Sequence, residues 1–74
     1  MRLRYYPETD SLYIDLSEKP GVDAVEVAEG VVLDLDEHGN VVGIDIDNAS
    51  QKVELARLLV ESFPSEPEVL KKAA

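Results

Sequence analysis

The 74-residue chain has no cysteine, no tryptophan and one histidine, and only three tyrosines and one phenylalanine supply its aromatic surface. Without cysteine there is no disulfide to brace a small fold and no thiol nucleophile. With a single histidine there are too few nitrogen or sulfur ligands for a structural zinc site, which takes four. Basic residues are scarce: seven Lys and Arg against sixteen Asp and Glu give a formal net charge of −9. That field repels phosphate backbones and anionic lipid, so nucleic acid and membrane are disfavoured as partners. No apolar run approaches the roughly 20 residues that span a bilayer. Met1 to Tyr6 alternates arginine with apolar residues instead of forming the apolar block of a signal peptide, and the expected location is cytoplasmic. Four glycines, none in a phosphate-cradling motif, leave no nucleotide signature, and no cofactor is expected.

What is present is a period of two. A domain this short hides only about 60% of the surface its unfolded chain exposes, so its core is thin and oligomerisation is the natural supplement. Through Met1 to Leu16 apolar residues alternate with polar ones, the mark of strands with one buried face. Pro7-Glu8-Thr9-Asp10 has turn chemistry. A four-residue loop there pairs Tyr6 with Ser11, Tyr5 with Leu12, Leu3 with Ile14 and Met1 with Leu16, with Arg4 opposite Tyr13 and Arg2 opposite Asp15 on the other face. Ser17 to Gly21 reads as a connection. A three-residue loop, Ala28-Glu29-Gly30, with Gly30 left-handed, sets Val27 opposite Val31 and Val25 opposite Leu33. A two-residue loop would put Glu26 opposite Leu33, a slip that turns the strand over. A tight His38-Gly39 turn then places Leu35, Leu33 and Val31 opposite Val42, Ile44 and Ile46.

From Ala49 the period becomes helical, with Asp47 or Asn48 as N-cap and Pro64 as the stop. Ala49, Val53, Leu55, Ala56, Leu59, Val60 and Phe63 fall within an arc of roughly 160°, wide enough to lie on a sheet. The expected fold is therefore α+β: an antiparallel meander sheet of about five short strands with one C-terminal helix packed on one face. Residues 1–64 form the single domain, and residues 65–74 a flexible or partly helical tail.

Asp34-Leu35-Asp36-Glu37-His38-Gly39-Asn40 partly resembles the start of a calcium loop, with Asp45 at the twelfth position. His38 replaces an oxygen ligand, however, and the flanks read as strands. The plain reading is a hairpin whose tip needs Gly39 for positive φ, and weak divalent-cation binding at the Asp34–Asp45 hairpin is the alternative. In the register above, Tyr6, Tyr13, Val32, Asp34, Asp36, Val41 and Asp45 lie on the outer face. Tyrosines and apolar residues beside carboxylates make them a candidate interaction surface. Catalytic and metal-ligating residues are not assigned. The lone His38 sits at a turn tip and no serine has a histidine near it in sequence, so an enzyme is disfavoured and a carboxylate hydrolase is the third reading.

Three stretches carry a resemblance: Arg4-Tyr5-Tyr6-Pro7-Glu8-Thr9-Asp10-Ser11-Leu12-Tyr13-Ile14; Gly30-Val31-Val32-Leu33-Asp34; and Gly39-Asn40-Val41-Val42-Gly43-Ile44-Asp45-Ile46, leading to Asn48-Ala49-Ser50. Together they resemble the YuzE-like family of small bacterial and archaeal proteins, a domain of unknown function, over roughly residues 2–52. Leu33-Asp34-Leu35 departs slightly, since relatives often carry tyrosine there. The resemblance implies no activity, cofactor or catalytic residue. Through relatives placed beside small toxin-like proteins it implies an antitoxin-like pairing. The expectation is a non-enzymatic interaction module that binds a second copy or a small basic protein.

Overall fold

The computed structural model describes residues 1–64. Five strands, β1 (Arg2–Tyr6), β2 (Ser11–Asp15), β3 (Asp23–Ala28), β4 (Val31–Leu35) and β5 (Val41–Ile46), are followed by one short helix, α1 (Ala49–Lys52). All neighbours in the sheet are antiparallel, in the order β1-β2-β5-β4-β3. Two runs of consecutive strands, β1-β2 and β3-β4-β5, are thus joined through β2 and β5. The Ser17–Gly21 connection carries the chain from the middle of the sheet to its far edge. It leaves where the Leu16 N–H donates to the Val42 carbonyl and returns where the Val22 N–H donates to the Leu35 carbonyl.

The first hairpin has the register the alternation predicts, from Arg2 opposite Asp15 to Tyr6 opposite Ser11. The other two keep their expected apolar pairs, Val25 with Leu33, Leu33 with Ile44 and Val31 with Ile46, but each contains one extra residue. In the β3–β4 hairpin the loop is two residues, Glu29-Gly30, and Ala28 rather than Val27 faces Val31. A register shift at Val27 absorbs the residue that would otherwise turn the strand over, as a β-bulge does. In the β4–β5 hairpin Leu35 faces Val41, not Val42, and a second shift restores Leu33 to Ile44. Val42, the extra residue, is buried with its side chain beside Asp34 and Gly21. Val41 therefore lies opposite Leu35 instead of beside the outer-face acids, a correction to its expected position. Gly30 and Gly39 both have positive φ, 73° and 81°, as their turns require.

The helix is one turn long. Its N-cap position is Asn48, in the left-handed region at φ 52°, but no side chain of its own caps it. Val53 is already extended, at φ −135° and ψ 157°, so the expected helix through Phe63 stops after Lys52. A short helix is marginal unless its apolar stripe is packed, and beyond Val53 the stripe is exposed. Leu55, Leu58, Leu59, Val60 and Phe63 are all exposed, Leu59 at 63%. The expectation for residues 65–74 lies outside the described residues.

Candidate interaction surface

The two faces of the sheet differ in chemistry because pairing carries the period of two across all five strands. On one face, Leu3, Ile14, Ile44, Leu33 and Val25 are successive cross-strand partners and form an apolar row from one edge to the other. Tyr5, Leu12, Ile46 and Val31 form a parallel row. On the opposite face the rows are Arg4, Tyr13, Asp45, Val32 and Glu26, and Arg2, Asp15, Gly43, Asp34 and Ala24.

Of the residues expected to form an interaction surface, the polar face brings together Tyr13, Val32, Asp34 and Asp45. Tyr13 on β2 reaches across β5 and donates a hydrogen bond to Asp34 Oδ2 on β4, 2.7 Å away. The passage exists because residue 43 has no side chain: a Cβ there would land on the Tyr13 hydroxyl and lie 2.6 Å from Cζ. Glycine inside a strand weakens it unless something fills the space, and here an aromatic ring does. The hydrogen bond to Asp34, then burial, then the Asp34, Asp15 and Asp45 charges push the Tyr13 pKa up to about 12. At neutral pH Tyr13 is therefore a hydroxyl donor locked to a carboxylate. Burial, together with the Asp47 and Asp34 charges, raises the pKa of Asp45. The signal for this arrangement was Gly43 between Val42 and Ile44, a glycine where a strand residue was due.

Asp36 is turned away from that patch and buried within its own hairpin. Its Oδ1 accepts the His38 and Asn40 backbone N–H groups, each at 2.9 Å, and its Oδ2 accepts Asn40 Nδ2. The Asn40 backbone N–H is the main cause that holds its pKa below the ordinary carboxylate range. The carboxylate central to the calcium-loop reading is thus spent on turn geometry. Among the described residues no three His, Asp or Glu side chains are placed to share a metal ion. A cleft of about 300 Å³ beside the turn is lined by Lys19, Pro20, Val22, Asp36, Glu37 and His38. Its histidine lies 3.3 Å from Glu37, with both side chains largely exposed. Tyr6 stands exposed on the edge strand β1, and Val41 is exposed near the hairpin tip.

A third polar cluster joins residues 40 positions apart. Asp10, left-handed at φ 54° in the β1–β2 turn, accepts hydrogen bonds from Tyr5 Oη (2.8 Å), Ser50 Oγ (2.6 Å) and Ser50 N (3.1 Å). Its carbonyl accepts the Ala49 N–H at 2.9 Å. Asp10 therefore does for α1 what a capping residue does, in place of the local Asp47 or Asn48. The Ser50 side chain, followed by Tyr5, lowers the Asp10 pKa, and Asp10 in turn raises that of Tyr5. Ala49 is completely buried in this corner.

The apolar face is only partly covered among the described residues. Leu3 is 44% exposed and Val25 43%, at the two ends of the apolar row, while Leu12, Ile14, Leu33, Ile44 and Ile46 are half-buried. Among the described residues the buried apolar side chains are Val42 and Ala49 alone. Beyond Val53, the one backbone hydrogen bond in the described chain runs from Arg57 N to Glu54 O. The period of two predicts the residues of this face, but the helix expected to cover them ends at Lys52.

No helix among the described residues is long and apolar enough to cross a membrane. Neither a curated protein nor a solved structure matches the chain. One family model does, over residues 2–50, which takes in all five strands and the start of α1: the chain belongs to the family described as Protein of unknown function (DUF2283).

Proposed function

We propose that this protein is a non-enzymatic interaction module whose contact surface is the apolar face of the sheet. The observation that carries the reading is the row from Leu3 through Ile14, Ile44 and Leu33 to Val25, which crosses all five strands with exposed ends and a half-buried middle, and over which no helix is packed among the described residues. A contiguous apolar surface of that extent is what protein contacts use, and small domains draw from such contacts the stability their own cores lack. The polar groups favour the same role. The best-formed ones, Tyr13–Asp34, Asp10 and Asp36, are each satisfied by partners within the fold, so they act as fasteners rather than as reacting groups.

Photo-crosslinking amino acids at positions 3 and 25, and for comparison at 6 and 32 on the other face, test this in the cell of origin. Protein adducts from positions 3 and 25 are expected. Their absence, with adducts arising from 6 and 32, would move the contact to the polar face.

A second reading is favoured by one observation, the gathering of Asp34 and Asp45 on the polar face, where burial and then the Asp47 and Asp34 charges raise the pKa of Asp45. A small basic partner, such as the toxin-like proteins to which the YuzE-like resemblance points, would relieve that crowding. Its binding would weaken with salt.

A further inference from the structure

We infer that the occupant of the apolar face is a second copy of this chain, with the two sheets packed face to face; the inference rests on the functional reading above and names its partner.

The charge on the face argues first. Among the residues in its pairing rows, the one charged member is Asp23, opposite Leu35 at a corner. The carboxylates Asp34 and Asp45 lie on the other side of the sheet. A basic protein would find almost nothing on the apolar face to pair with, whereas an identical apolar face is complementary to it. Sheets stack at about 10 Å through interlocking aliphatic side chains of this kind.

Area argues next. Five strands of five or six residues span roughly 24 by 17 Å, about 400 Å² in projection. A stable interface buries about 800 Å² per partner. The face in flat projection supplies about half, before the relief of its side chains is added, and Leu55, Leu59, Val60 and Phe63, which follow α1, are further exposed apolar side chains of the same chain.

Charge also fixes a signature. Each copy carries −9, so two copies repel through solvent, and salt that screens this repulsion tightens the dimer. A complex with a basic partner responds in the opposite sense.

The test is sedimentation equilibrium on the full chain. Twice the monomer mass is expected at about 100 µM. The dissociation constant should fall roughly tenfold between about 0.02 and 0.3 M NaCl. The double substitution Leu3→Arg/Val25→Arg places charge at two positions that a single chain already exposes. It is expected to raise the dissociation constant at least about 100-fold while the strand circular dichroism persists. Val32→Arg on the other face leaves the mass unchanged. A monomer at every salt concentration overturns the inference, as does a dimer that survives the double substitution. Should that variant unfold, mixed isotope labelling of the wild-type protein decides. Methyl contacts between Ile44 of one copy and Leu33 of the other support the face-to-face dimer, and their absence overturns it. A monomer that still crosslinks to another protein from positions 3 and 25 removes self-association and leaves the interaction reading standing. A monomer with no adducts from those positions removes both.

Discussion

Replacing Gly43 with alanine probes the arrangement that the polar face depends on. The added methyl occupies the place of the Tyr13 hydroxyl, 2.6 Å from Cζ and 3.3 Å from Cε1. The ring must leave, and its 2.7 Å bond to Asp34 goes with it. A hydrogen bond to a charged group contributes about 1.5–3 kcal/mol. Alanine returns about 0.5–1 kcal/mol through its lower unfolded-state entropy. A net loss of about 1–2 kcal/mol follows, a large share of the roughly 3–5 kcal/mol that a domain of this size draws from its core. Urea unfolding of Gly43→Ala, Tyr13→Ala and the double variant closes a thermodynamic cycle. With Tyr13 already truncated, Gly43→Ala should be neutral or slightly stabilising. A spectroscopic readout accompanies it: the hydrogen bond to Asp34 pushes the Tyr13 pKa up to about 12, and in Gly43→Ala the tyrosine titration should move down toward the ordinary value near 10. Equal costs for Gly43→Ala in both backgrounds, with the high titration retained, would refute the packing of Tyr13 over Gly43.

Other perturbations have distinct signs. Because the folded pKa of Tyr13 lies above its unfolded value, its contribution is complete below about pH 10 and is lost as pH rises toward 12, which alkaline unfolding of wild type against Tyr13→Phe would show. Asp10 and Asp36 have lowered values, so their contributions hold above the ordinary carboxylate range and vanish as acid titrates them; Asp10→Asn should flatten the acid limb of the stability curve and speed amide exchange at Ala49 and Ser50. Asp45 is raised, so Asp45→Asn should stabilise the fold at pH 7, with the gain disappearing at pH values below the unfolded carboxylate pKa. Val42→Ala should cost about 2 kcal/mol in chemical denaturation, since its side chain is buried under the β2–β3 connection.

The strands were legible because a half-buried strand writes itself as alternation, and three turns with suitable residues pinned the registers of Leu3–Ile14, Leu33–Ile44 and Val25–Leu33. The bulges at Val27 and Val42 were not legible. A period of two has no way to mark an unpaired residue, and in both hairpins the bulge and the loop length compensate, so the flanking pairs look regular. Strand order was open for a related reason: the pattern fixes faces, not neighbours, and the union of β2 with β5 depends on the long connection. Asp10 is not legible as a cap because a local cap stands directly before its helix, and here the carboxylate arrives from the first turn of the sheet. The helical stripe from Ala49 to Phe63 was real as a pattern, yet a pattern forms a helix only when its apolar side is packed, and beyond Lys52 that packing is missing. Among the described residues the same gap leaves the apolar face without the helix expected over it, and that is where the proposed contact surface lies.

That surface can be watched directly by following the methyl resonances of Ile14, Leu33, Ile44 and Ile46 as the protein is diluted. Contact through the apolar face predicts that these four shift together with concentration while the Val32 methyls on the polar face stay fixed. Methyl positions that do not change on dilution, together with slow amide exchange across residues 53–63, would show that the chain covers the face itself and would contradict the account.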